Sequence, residues 1–131
     1  MIISDTLLDD LTKAAQNSPR LRMNLDLRNS PDDSSQRMLN ALEPGTVVPI
    51  HRHSKSSETV ILLRGKVRQN YYDEDGNITD SWIMEPLSSC VGCQIPIGQW
   101  HNTESLESGT VIFESKDGAW EPQSKLDIMN I

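Results

Sequence analysis

The sequence predicts an all-β chain, a single small antiparallel barrel or sandwich with a short N-terminal helix and an extended arm. Three observations carry that prediction. All seven glycines lie at or after Gly45, so the chain changes character there. From Gln36 onward, apolar and β-branched runs recur about every ten residues with turn residues between them, which suits a meandering sheet better than βαβ units. Before that point, only Asp5 to Gln16 places apolar residues at helical spacing.

In that first segment Leu7, Leu8, Leu11, Ala14 and Ala15 form the apolar face, Ser4 is the expected N-cap, and Asn17-Ser18-Pro19 ends the helix. Residues 20–34 read as an extended arm running into a Pro-Asp-Asp-Ser-Ser loop. The expected division is therefore 1–34, helix and arm packing on the barrel, and 35–131, the barrel, in one structural domain. Strands are expected at QRMLNAL (36–42), ETVILLRG (58–65) and KVRQNYY (66–72). Asp73-Glu74-Asp75-Gly76-Asn77 is a strong hairpin signal leading to ITDSWIM (78–84). QIPIG, HNTES, GTVIFESK and the C-terminal tail complete the series.

At 131 residues the chain is long enough for one domain with its own core. With 36% hydrophobic and 24% charged residues it reads as soluble and globular, and its short apolar runs exclude a transmembrane helix. MIISDTLLDD lacks the basic and apolar regions of a secretory signal, so the expected location is cytoplasmic. A net charge of −7 disfavours nucleic acid and anionic membrane as partners. Arg20, Arg22, Arg28 and Arg37 cluster early, and they read as a solvated, salt-bridged face rather than an anion site. Cys90 and Cys93 lack the second pair or nearby histidines of a zinc knuckle, so they read as small packing residues kept reduced.

The chemistry lies in GTVVPIHRHSKSSETVILLRG, residues 45–65. His51 and His53 are two apart, so on a strand both imidazoles would share a face, ~7 Å apart along the chain. Glu58 follows a polar turn, and alternation puts it on the same face as Val60 and Leu62. A carboxylate on an apolar face needs a counter-charge, which a divalent cation shared with the histidines would supply. Taken alone, the His pair fits a solvated strand better than a metal site. The third and last histidine, His101, follows a Pro96-Gly98 turn in PIGQWHNTES.

Residues 45–65 resemble the first motif of the cupins: glycine, five residues, HxH, four residues, Glu, six residues, glycine. Gly45, His51, His53, Glu58 and Gly65 fall on register, and PIGQWH resembles the second motif through Pro96, Gly98 and His101. Cys90 and Ser105 depart from it, where glycine and asparagine are usual. RMNLDLRNSPDDSSQRMLNALEPGTVVPIHRH and GTVIFESKDGAWEP extend the likeness to the WbuC family of cupin-fold metalloproteins, from Arg20 to Pro122. The resemblance implies a small antiparallel jelly-roll (cupin) barrel with a helical lead-in and one metal held by His51, His53, Glu58 and His101. It further implies a homodimer and a link to surface-polysaccharide biosynthesis.

A six-coordinate Fe, Mn or Ni ion on four such ligands keeps about two positions open, whereas tetrahedral Zn is closed unless Glu58 leaves. One divalent metal per chain is expected, with a small polar metabolite such as a sugar derivative as ligand. An isomerase, epimerase or dioxygenase-like enzyme and a non-catalytic binding or sensing module are both open. Gln36, Arg37, Asn40, Tyr71 and Trp100 are the candidate substrate contacts, and Tyr71, Tyr72, Glu114 and Lys116 the acid–base candidates.

Overall fold

The computed structural model describes residues 1–130. Helix α1 (Asp5–Gln16) starts where the Ser4 side chain accepts a hydrogen bond from the backbone N–H of Leu7, and it ends at Asn17. Eight strands follow: β1 (Arg22–Asp26), β2 (Ser35–Leu42), β3 (Glu58–Arg64), β4 (Val67–Tyr72), β5 (Ile78–Met84), β6 (Gly92–Ile95), β7 (Trp100–Ser105) and β8 (Thr110–Asp117). They form two antiparallel sheets, one in the order β1-β2-β8-β3-β6 and one in the order β5-β4-β7.

Alternation along the strands sorts their side chains into two cores. Leu39 and Ala41 of β2 and Val111 of β8 face outward and are covered by Leu8, Leu11 and Ala15 of α1. Leu42, Val60, Leu62 and Ile112 face the other way and pack with Val67 and Met84 of the second sheet. The five-stranded sheet is thus covered on both faces at β2 and β8, whereas the outer face of β3 lies beyond the helix. The expected alternation of β3 is observed: Glu58, Val60 and Leu62 are buried, whereas Ile61 and Leu63 are each 38% exposed.

The segment expected to be an extended arm contains β1, which pairs with β2 from Arg22↔Leu42 to Asp26↔Met38. Its side chains alternate as well: Leu25 joins the helix layer, and Arg22 points into the barrel cavity. Buried Glu43 accepts hydrogen bonds from Gln16 of α1, Ser108 and the Gly109 N–H, tying the helix to the turn before β8.

The His-x-His segment departs from expectation. His51 and His53 do not lie on a strand; His51 makes only isolated bridges, to His101 and to Ile128. Pro49 offers no backbone donor, which suits a segment without a continuous ladder. The C-terminal residues hold this loop instead. Met129 N–H donates to the Ile50 carbonyl at 2.8 Å, and Arg52 pairs with Asp127 at 3.0 Å.

Candidate metal centre

Three elements converge on one point: the 46–57 loop, the start of β3 and the start of β7. Gly98, in a left-handed conformation at φ +79°, turns the chain after Pro96 and donates its N–H to the His53 carbonyl at 2.9 Å. The backbones of His51 and His101 exchange hydrogen bonds at 3.0 and 2.8 Å. One nitrogen from each of His51, His53 and His101 falls within a 4.8 Å group.

Two of the rings are oriented from behind. The Nδ1 of His51 lies 2.8 Å from the Pro49 carbonyl and that of His101 2.8 Å from the Gln99 carbonyl. A carbonyl can only accept, so each Nδ1 carries the proton and each Nε2 presents a lone pair. That arrangement is common behind metal-bound histidines.

Glu58 supplies the test of whether a cation fits. Its Oε2 lies 2.7 Å from His53 Nε2 and 3.8 Å from His101 Nε2. Despite the short approach, Oε2 is buried and receives no properly directed hydrogen bond. We therefore read the 2.7 Å approach as proximity and not as a formed hydrogen bond. A buried carboxylate oxygen that faces the His101 Nε2 lone pair and receives no directed donor is unfavourable unless a cation lies beside it. The donor set of three imidazoles and one carboxylate suits a divalent transition metal held about 2 Å from each atom.

Electrostatics keep these groups in ligand form. Burial first, then the neighbouring His101, lowers the His51 pKa to about 4. Burial also lowers that of His101. For Glu58 burial opposes ionisation, but the close approach of His53 and the charges of Lys116 and His101 outweigh it and lower the carboxyl pKa.

The centre opens into a cavity of about 150 Å³ whose other wall carries Arg22, Asn40, Thr103 and Glu114. Burial, then the charge of Glu58, pushes Glu114 up to about 7. Of the candidate substrate contacts, Asn40 alone lines this cavity. Gln36 and Arg37 line a separate groove with Trp120. The Tyr71 hydroxyl donates to the Gln94 carbonyl, and its ring meets Trp82 edge-on at 4.8 Å. Trp100 is 7% exposed, with the Arg52 guanidinium 4.4 Å from its ring centroid. Tyr72 donates to Asn102, and Lys116 stands opposite Glu58 in the β3–β8 register. Cys90 and Cys93 are free thiols packed beside the inner core, and burial pushes Cys93 up to about 12, so it stays protonated.

Arg22 was grouped in sequence with the solvated arginines. Arg28 and Arg37 do pair, with Asp26 at 2.8 Å and Asp33 at 3.3 Å. The signal that separates Arg22 is strand parity, which becomes readable only once residues 22–26 are assigned to a strand.

These titrations predict a pH profile for metal-free protein. His51 falls from 6.5 to about 4 on folding, so the unfolded chain takes the proton first. Its contribution is complete above pH 6.5 and is lost as pH falls towards 4, on the order of 3 kcal/mol. Glu114 rises from 4.5 to about 7, so its contribution is complete below pH 4.5 and is lost as pH rises towards 7. The two slopes oppose each other between pH 4.5 and 6.5. Urea titrations should give a shallow wild-type profile there and a steeper one for Glu114→Gln, which loses stability from pH 6.5 downward. Parallel profiles would contradict the Glu114 shift, and a flat Glu114→Gln profile the His51 shift.

The fold is that of a small cupin, and its three imidazoles form a group that could hold a metal ion. By sequence the chain belongs to the family described as domain of unknown function DUF6016, whose model matches residues 3–84. No curated protein matches it. Among solved structures it is similar to KdgF from Halomonas sp., at 14% identity and TM-score 0.61, over 78% of this chain and 83% of that one. It is also similar to the capsular polysaccharide assembling protein CapF from Staphylococcus aureus, at 20% identity and TM-score 0.67, over 86% of this chain. An oxalate oxidase in complex with glycolate matches at 14% identity and TM-score 0.63, over 82% of this chain. The chain covers 32% of that CapF chain and 55% of that oxalate oxidase chain, and at these identities the likeness concerns the fold alone. Among the described residues no helix is long and apolar enough to cross a membrane.

Proposed function

We propose that this protein is a metal-dependent enzyme that binds one divalent ion through His51, His53, Glu58 and His101 and acts on a small polar metabolite such as a sugar derivative. The observation that carries the reading is the buried Glu58 Oε2, which faces two imidazole nitrogens and receives no hydrogen bond. The bound ion would supply Lewis-acid polarisation of a substrate oxygen, or oxygen activation if it is iron. The chain's own residues set the frame. His51 and His101 are pinned by carbonyls, Glu58 neutralises part of the charge, and the second wall of the cavity is polar and open to a ligand. Glu114 and Asn40 are the side chains on that wall able to move a proton or orient a hydroxyl.

A role in surface-polysaccharide biosynthesis is supported by the resemblance to the WbuC family and by the likeness to the capsular polysaccharide assembling protein CapF. The resemblance also supports a homodimer, and the sequence a cytoplasmic setting. The primary test is elemental analysis of anaerobically purified wild-type protein. Iron, manganese or nickel near one per chain is the expected result. Tightly held zinc with no exchangeable water would favour a non-catalytic binding module. Absence of metal even after refilling would overturn the assignment.

A further inference from the structure

We propose that the cavity takes a carboxylate-bearing small molecule, with its acid group seated on Arg22 and an oxygen at its other end facing the imidazoles; this rests on the metal-binding reading above. Arg22 stands at the first position of β1, opposite Leu42. It lines the same cavity as His51, Glu58 and His101. Among the described residues, no carboxylate oxygen comes within 4 Å of its guanidinium, whereas Arg28 and Arg37 are both paired. Nor does its side chain donate a hydrogen bond to any described residue.

A half-buried guanidinium with five donors and no acceptor is unfavourable until an anion arrives. Its planar fork matches a carboxylate in bidentate geometry. Glu114 lines the same cavity, yet among the described residues it forms no ion pair with Arg22 within 4 Å, so the guanidinium stays free for an external anion. Among the described residues Lys116, across from Glu58, likewise meets no carboxylate within 4 Å, and it adds positive potential along the same strand as Glu114. The arrangement is bipolar: imidazoles and Glu58 at one end, Arg22 at the other, with about 150 Å³ between them. That space admits the acid head of a small molecule, with Asn40 and Thr103 available to hydroxyl or carbonyl oxygens along its length.

The experiment uses protein loaded with Co(II), titrated calorimetrically with malonate, succinate and glutarate and with the diamide of each. At least one diacid should bind about 10-fold or more tightly than its diamide, the scale of a charge-assisted hydrogen bond. Arg22→Gln should cut that preference, weakening the diacid by roughly 10- to 100-fold while diamide affinity and cobalt stoichiometry hold. Arg22→Lys should keep part of the preference, since it restores charge without the planar fork. An unchanged cobalt spectrum and urea midpoint in Arg22→Gln establish that the variant is folded. Equal diacid binding by wild type and Arg22→Gln, both loaded, would overturn the proposal and leave the metal centre standing. Failure of the wild type to take up cobalt would instead overturn the metal reading, and the bridging ligand with it.

Discussion

His101→Ala should lose stoichiometric metal while the barrel stays folded. His101 is 2% exposed, its ring is fixed by the Gln99 carbonyl, and its Nε2 faces the Glu58 carboxylate. Losing the groups behind a ligand typically costs ~10- to 100-fold in metal affinity, so losing the ligand itself should cost at least ~100-fold. The fold should survive because the backbone of residue 101 carries its structural role. The two hydrogen bonds exchanged with His51 and the pairing with Tyr71 do not need the imidazole. The truncation leaves a small cavity beside a carboxylate, a cost of about 1–3 kcal/mol against a total of about 5–15. His53→Ala should behave alike with less loss of stability, since it lies on a loop. Metal content after gel filtration, with circular dichroism alongside, decides the matter. One ion per chain in both variants would remove these histidines from the ligand set.

The residues that converge at the candidate centre were largely legible in sequence because each carries a penalty that only a partner relieves. Glu58 alternates with Val60 and Leu62, and the observed burial of all three follows from period-two patterning. What sequence could not supply was the route by which His53 reaches the group. Expected on a strand, it is delivered by a loop, and that loop is held by Asp127, Ile128 and Met129, some 75 residues further on. Contacts of that separation leave no local periodicity to read. The same limit hid Arg22. Five residues of β1, with a burial pattern of two half-buried positions among exposed ones, look like a polar arm until β2 is beside them. Of the candidate contacts on β2, parity separates Asn40 from Arg37 but does not separate Asn40 from Gln36. Position along the strand does that, since Gln36 lies near the far end and its amide donates to the Gly118 carbonyl.

Gly65→Ala should destabilise the barrel by about 3 kcal/mol or more, whereas Gly98→Ala should cost only about 1 kcal/mol. Both are motif glycines with positive φ, +88° and +79°, so both carry the left-handed backbone cost that an L side chain meets. They differ in what surrounds them. A Cβ on Gly65 would come within 2.5 Å of the Thr110 Cα and also meet that residue's side chain, whereas one on Gly98 would meet nothing within 4 Å. Thr110 cannot withdraw cheaply. It is fully buried, its hydroxyl donates to the Glu107 carbonyl at 2.7 Å, and it accepts from the Lys66 N–H. Moving it would shift the start of β8, where the β3–β8 register already slips between Leu62 and Arg64. Urea unfolding of the two variants beside wild type measures the difference directly. Equal losses would mean that backbone conformation alone sets the requirement at position 65. A larger loss at Gly65 would assign it to the contact between the β3–β4 turn and β8. That contact lies at the end of β3 remote from Glu58, so Gly65→Ala should lower stability without changing metal affinity in the fraction that remains folded.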